Sequence, residues 1–252
     1  MCIVFLAIDQ HPDYPLIIAA NRDEYHDRPS AGMEFWQDYP QILAGRDLRE
    51  NGTWLGLTRS GYFCTVTNYP DASASTQELN SRGQLVRQFL VNEMPVSQSH
   101  EYLKSMGRTY RPFNLVFGHY SDLYAYSNRE QALTRLDKGY HSVSNGPMNQ
   151  AWEKVTHGIR KLTDLIADGR KINPQILTEF MQDRSLPGND SSKSITGPYF
   201  SPIFIRGERY GTRATTCLMF NERETHIIES SYEPSGEIVG QRKFTLELTH
   251  AA

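Results

Sequence analysis

Two short apolar runs open the chain, Cys2-Ile3-Val4-Phe5-Leu6-Ala7-Ile8 and Leu16-Ile17-Ile18-Ala19-Ala20, with two prolines in the segment between them. Short runs rich in Ile and Val and bounded by turn formers predict strands. The pair predicts a buried antiparallel hairpin, in which the end of the second strand returns beside the start of the first. The charged segment Asn21-Arg22-Asp23-Glu24 is then expected next to Cys2.

Residues 25–41, with Pro29, Gly32 and Pro40 among aromatics, predict an ordered loop. A second hairpin is expected from Gly52 to Thr58 and Tyr62 to Thr67, turning at Ser60-Gly61 and stopped by Asn68-Tyr69-Pro70, because proline cannot continue a ladder. The period then changes. Leu85, Val86, Phe89 and Leu90 set an apolar face on a helix over about 77–94, and a short helix is expected over 97–106, before Gly107. Strand character returns at 114–118, 123–126, 133–136 and 140–144, ending at Asn145-Gly146-Pro147. Trp152, Val155, Ile159, Leu162 and Ile166 recur at steps of three and four and predict a helix over 149–167 with Gly169 as its stop; Pro174 opens another to about 183. Residues 184–197, rich in Ser, Gly, Asn and Pro, predict a long surface loop suited to a lid. Three strands are expected to close the chain, at 214–220, 225–230 and 238–248.

Strands, helices, strands, helices, strands: this segregation favours an α+β fold with hairpin-linked antiparallel sheets over alternating βαβ units. A chain of 252 residues fits one large domain or two small ones. With no internal repeat or linker to divide it, one domain over 1–252 is expected.

Composition narrows the partners. A net charge of -3 without a basic block argues against nucleic acid. Three scattered cysteines, Cys2, Cys64 and Cys217, make neither a disulfide framework nor a zinc cluster and point to a reducing compartment. The first apolar run has seven residues and no basic residue before it, unlike a secretory signal or a membrane span. A soluble cytoplasmic protein without an integral membrane segment is the expectation.

The chain holds no glycine-rich phosphate loop, Gly-x-Ser-x-Gly elbow, His-Glu-x-x-His or Cys-x-x-Cys. What remains is a set of polar residues at predicted strand ends: Asp23, Asn68, Asn145 and Arg213. If Met1 is removed, which the small size of cysteine favours, residue 2 carries both a thiol and a free α-amine. That amine, with an unperturbed pKa of about 7.7–8.0, can serve as general base for its own thiol without a histidine. Each residue taken alone has a plainer reading. Cys2 reads as a small apolar residue on a core strand, Asp23 and Arg22 as an ion pair at a hairpin end, Asn68 and Asn145 as turn formers, Trp54 and Tyr69 as core aromatics. Glu24, His26 and Asp27 lack the pattern of a calcium loop, and no metal is expected.

Taken together and in order, Met1-Cys2-Ile3, Ala20-Asn21-Arg22-Asp23-Glu24, Gly52-Thr53-Trp54-Leu55-Gly56, Thr67-Asn68-Tyr69, Ser81-Arg82-Gly83, Ser144-Asn145-Gly146 and Tyr210-Gly211-Thr212-Arg213 resemble the NRDE family, also called the Transport and Golgi Organisation protein 2 family. More distantly, the chain is similar to the choloylglycine hydrolase and penicillin acylase branch of the N-terminal-nucleophile hydrolases. That resemblance implies a four-layer αββα sandwich with antiparallel sheets. It matches Cys2 to the nucleophile, Asp23 to the aspartate beside the new amine, Asn68 to the oxyanion asparagine, Asn145 to a second asparagine and Arg213 to a late arginine. Those hydrolases tend to have an arginine just upstream of the Asn-x-Asp, where this chain has Ala20, with Arg22 placed differently.

The implied roles are chemically coherent. Asp23 would orient the amine, Arg213 would lower the thiol pKa, and Asn68 would donate to the developing oxyanion, a contact typically worth about 3–4 kcal/mol. The implied reaction is acyl transfer from a small amphipathic amide to Cys2, then release by water, with no cofactor required. Asn21, Arg22, Glu24, Trp54 and Tyr69 are the expected substrate-binding residues. The family resemblance also implies haem trafficking and lipid or acyl-CoA homeostasis, so the alternative is a carrier on the same scaffold, with haem as a possible ligand held by the Cys2 thiolate. The sequence shows no Cys-x-x-Cys-His or Cys-Pro pair for haem.

Overall fold

In the computed structural model, which describes residues 2–69, 79–168, 171–185 and 202–249, the opening hairpin forms from β1 (Cys2–Ile8) and β2 (Leu16–Tyr25), with Cys2 opposite Arg22 and Ile3 opposite Asn21. There follow β3 (Ser30–Phe35), β4 (Ile42–Asp47), β5 (Leu55–Thr58), β6 (Tyr62–Asn68), α1 (Arg82–Asn92), α2 (Val96–Met106), β7 (Phe113–His119), β8 (Asp122–Ser127), β9 (Ala132–Arg135) and β10 (Gly139–Val143). The chain continues through α3 (Glu153–Ala167), α4 (Pro174–Met181), β11 (Tyr210–Phe220), β12 (Glu224–Tyr232) and β13 (Ile238–Glu247).

One expectation is corrected outright: residues 25–41 hold β3, and β4 follows it. Met33 is the one fully buried side chain of β3, and the register slips between Ala31 and Glu34. A bulged edge strand shows little of the alternation that marks a half-buried one. The third helix begins at Glu153 rather than 149, because Asn149 takes a left-handed φ of 59° and closes a turn, its Oδ1 accepting from Ser142 N at 2.9 Å. Asn173 caps α4 through Gln175 N and Ile176 N, with Pro174 at the first helical position. Pro70, Gly169 and most of the expected 184–197 loop lie outside the described residues.

The chain divides into two compact units. The first comprises Met1–Asp27, Lys138–Ser144 and Met148–Leu246; the second comprises Arg28–Asp137, Asn145–Pro147 and Glu247–Ala252. In the first, six antiparallel strands run in the order β10-β1-β2-β11-β12-β13. Odd-numbered positions of β1 and β2, Ile3, Phe5, Ala7, Ile17 and Ala19, pack with Cys217 and Met219 of β11 against Val155 and Leu162 of α3 and Leu177 and Phe180 of α4. Alternation fixes that choice of face. Gly158 lets α3 settle on β1: a Cβ there would come within 2.2 Å of the Phe5 ring.

The second unit is a seven-stranded meander, β3 through β9 in chain order. Ile42, Ala44, Cys64, Val66, Leu115 and Phe117 meet Leu85, Val86, Phe89 and Leu90 of α1 and Leu103 of α2. Gly52 packs on the start of α1, where a Cβ would lie 2.3 Å from the Gly83 carbonyl carbon. Each unit is thus a sheet with a helix layer on one face. Among the described residues, no helix is long and apolar enough to cross a membrane.

Candidate functional site

The first unit gathers Cys2, Arg22, Asp23, Thr212 and Lys154. Cys2 begins β1 opposite Arg22, and its carbonyl accepts from Ser144 Oγ at 2.8 Å. One residue further along β2, Asp23 shares the helix-side face with Asn21. Its side chain is buried, at 5% exposure, and Thr212 Oγ1 donates to Asp23 Oδ1 at 2.6 Å. Tyr210 adds a hydroxyl bond to the Asp23 carbonyl at 3.1 Å. The neutral donor has a structural origin: β11 shifts register against β2 between Thr212 and Ala214. A bulge re-aims the residues around it.

Arg213 occupies that bulge, and its Nη1 donates to the Tyr25 carbonyl at 3.3 Å on an exposed side. The guanidinium that acts on the thiol is Arg22. Burial pushes the Cys2 thiol above its ordinary value, the Asp23 carboxylate adds to that, and the Asp23 N–H and Arg22 oppose it. The resting sulfur is therefore a thiol, and its activation needs a base. Burial likewise raises the Asp23 carboxyl to about 6, opposed in part by Thr212, Lys154 and Arg22.

Lys154 is the residue that sequence reasoning missed. It stands in the first turn of α3 and is 2% exposed. Burial lowers its pKa, while Asp23 and Cys2 raise it. A signal existed in the spacing, since Lys154, Gly158 and Leu162 form a buried stripe at four-residue steps. Reading only large apolar side chains passed over a stripe that starts with lysine and glycine.

Asn21, expected at the substrate, is committed elsewhere. It donates to the carbonyls of Met181 and Ile203, both at 2.9 Å, and accepts from Thr215 Oγ1 at 2.6 Å. Those bonds clasp β2 to the end of α4. Glu24 Oε1 accepts from the Tyr25 N–H at 2.8 Å.

In the second unit, Asn145 is buried and donates through Nδ2 to the Asn68 carbonyl at 2.6 Å. Asn114 supports the same turn, donating to the Gly146 carbonyl at 2.8 Å. The two asparagines are thereby brought together. Tyr69 is held by its backbone N–H to the Pro112 carbonyl, and the Trp54 indole lies on Gly45, where a Cβ would sit 2.4 Å from the ring.

Comparison with known proteins agrees with this architecture. A family model described as Transport and Golgi organisation 2 matches residues 1–234. The chain is 31% identical over 250 residues to the Transport and Golgi organization protein 2 homolog of Bos taurus, covering 87% of this chain and 88% of that one. It is 30% identical over 248 residues to the Homo sapiens homolog, again covering 87% and 88%. Among solved structures it is similar to a cysteine-to-alanine mutant of the conjugated bile acid hydrolase from Clostridium perfringens, with TM-score 0.53, 11% identity and 100% and 99% of the two chains covered. An arginine-to-leucine variant of the same hydrolase gives TM-score 0.55 at 11% identity, with 99% of each chain covered. That likeness shows the fold, an α+β arrangement of the N-terminal-nucleophile hydrolase type with antiparallel sheets. The whole-length match of model and relatives shows the kinship: the chain belongs to the Transport and Golgi organisation 2 family.

Proposed function

We propose that this protein is an N-terminal-nucleophile amidase, in which Cys2, once Met1 has been removed, cleaves a small amphipathic acyl amide. The observation that carries the reading is the convergence of the Cys2 thiol and a buried, hydrogen-bonded Asp23 at one end of the β1–β2 hairpin. The raised thiol needs a base, and the α-amine freed by Met1 removal would be the nearest one. As sulfur attacks the acyl carbon, the amine takes the thiol proton. Collapse of the tetrahedral species breaks the C–N bond, and the α-ammonium returns the proton to the departing amine. Water then adds to the thioester, delivering its proton through the same amine to sulfur, and the acid leaves.

Ionised Asp23 orients and stabilises the α-ammonium. From the family resemblance, Asn68 enters the proposal as the oxyanion donor, with a side-chain amide suited to that task, and Asn145 as the second asparagine. The conjugated bile acid hydrolases of similar fold act on an amphipathic compound by name, which supports the substrate class. Three free cysteines are in keeping with a reducing compartment, and we place the protein in the cytoplasm.

The test uses untagged protein and a panel of N-acyl aminomethylcoumarin amides of increasing chain length. Intact mass is expected to show Met1 absent, wild type to release fluorophore with a transient acyl adduct, and Cys2→Ala to lose turnover at least about 100-fold. Retained Met1 together with no release across the panel overturns the reading.

A further inference from the structure

Position along α3 explains why a lysine is buried in the first unit. The Tyr140 hydroxyl, on the residue opposite Ala7, faces Thr163, and Gly158 rests on Phe5. Helix and strand therefore run in the same sense. One turn before Gly158, about 6 Å along the axis at about 1.5 Å per residue, comes Lys154. The same distance back along β1, at about 3.3 Å per residue, leads from Phe5 to Ile3, the residue that follows Cys2. Trp152 flanks the ammonium, with Nζ 5.7 Å from its ring centroid.

Lysine is almost never fully buried without a partner, and an isolated ammonium in such a place would be too costly. Its partners are Asp23 and Cys2, which act on Lys154 in return. We propose that Lys154 is a positioning residue of the Cys2–Asp23 site, its ammonium brought by α3 over the start of β1 to keep Asp23 ionised and to favour negative charge on the Cys2 sulfur.

The role rests on the amidase reading for its use, but its test does not. Carbon-13 carboxyl titration of wild type, Lys154→Met and Lys154→Arg is expected to move the Asp23 midpoint up by about one unit or more in Lys154→Met, a tenfold change in ionisation ratio, and to restore it in Lys154→Arg. Iodoacetamide alkylation of Cys2 at pH 7.5 is expected to be about tenfold slower in Asp23→Asn/Lys154→Met than in Asp23→Asn. That pair isolates the direct action on sulfur, and it removes both buried charges together if Lys154→Met alone does not fold. An unmoved midpoint or equal alkylation rates overturns the proposal. If neither coumarin release nor Met1 loss is found while both readouts move, the amidase reading fails and the role of Lys154 stands.

Discussion

Thr212 gives Asp23 a neutral, buried hydroxyl, while Arg213, one residue later, had been expected to act on the Cys2 thiol. The bond is 2.6 Å long and is one of the forces keeping Asp23 from rising further. A hydrogen bond to a charged group contributes about 1.5–3 kcal/mol, which is about 1–2 units of pKa. Thr212→Val is therefore expected to lift the Asp23 midpoint from about 6 by about 1–2 units, read by carboxyl titration. An unchanged midpoint would mean that the bond contributes nothing to ionisation. Arg213→Ala, by contrast, loses a contact to a backbone carbonyl on an exposed side and is expected to leave that midpoint in place. Both residues lie in one motif of the sequence. Nothing in the motif tells which side chain turns toward Asp23, because the register shift between Thr212 and Ala214 belongs to a pairing of strands almost 190 positions apart.

Elements were legible where their signal is local. The β1–β2 hairpin, both sequence-adjacent pairs of helices and the closing strands could be read from runs and periods, since each is decided by neighbours in sequence. The helix α3 was read from Trp152, Val155, Ile159, Leu162 and Ile166, but its seat on the sheet depends on the absence of a side chain at Gly158. Gly158→Ala puts a methyl 2.2 Å from Phe5, whose ring is fully buried and set against Phe180 at 5.5 Å between centroids. The expected loss is about 1–3 kcal/mol, measured by urea unfolding, together with slower Cys2 alkylation as the helix lifts Lys154 away. Gly52→Ala meets backbone rather than a ring, 2.3 Å from the Gly83 carbonyl carbon. Backbone gives way less, so its loss is expected at or above the top of that range, about 3 kcal/mol. An equal or smaller loss than Gly158→Ala would show that the start of α1 can shift. The Gly52 contact also accounts for Gly52 and Gly83 in the Gly52–Gly56 and Ser81–Gly83 motifs, which the sequence offered as resemblance without a reason.

For the molecule as a whole, the fold class was within reach of the sequence and the strand order was not: β11 enters between β2 and β12, a long-range pairing with no local trace. The same long-range burial gives the protein an unusual dependence of stability on pH. Asp23 titrates near 6 when folded against an ordinary 3.8, so between those values the folded state holds more protons than the unfolded one, and this group makes stability rise as pH falls. The difference of about 2 units corresponds to about 3 kcal/mol, absent above pH 6 and fully gained below about 4. Asp47 and Asp183 work the other way. Burial opposes their ionisation, but Arg28 and the Glu50 N–H hold Asp47 below its ordinary value, and Lys161, Ser185 and His157 do the same for Asp183. Their contribution is present above 3.8 and is lost as pH falls through their lower folded values. Melting curves of wild type, Asp23→Asn and Asp183→Asn from pH 7 to pH 3 separate the two effects. Wild type is expected to gain stability relative to Asp23→Asn as pH drops from 6 to 4, and its advantage over Asp183→Asn to shrink only below about pH 4. If the Asp23→Asn difference were flat across pH 4–6, the carboxyl would be ionising as freely as one in water, and burial would not outweigh the groups that oppose it, Thr212, Lys154 and Arg22.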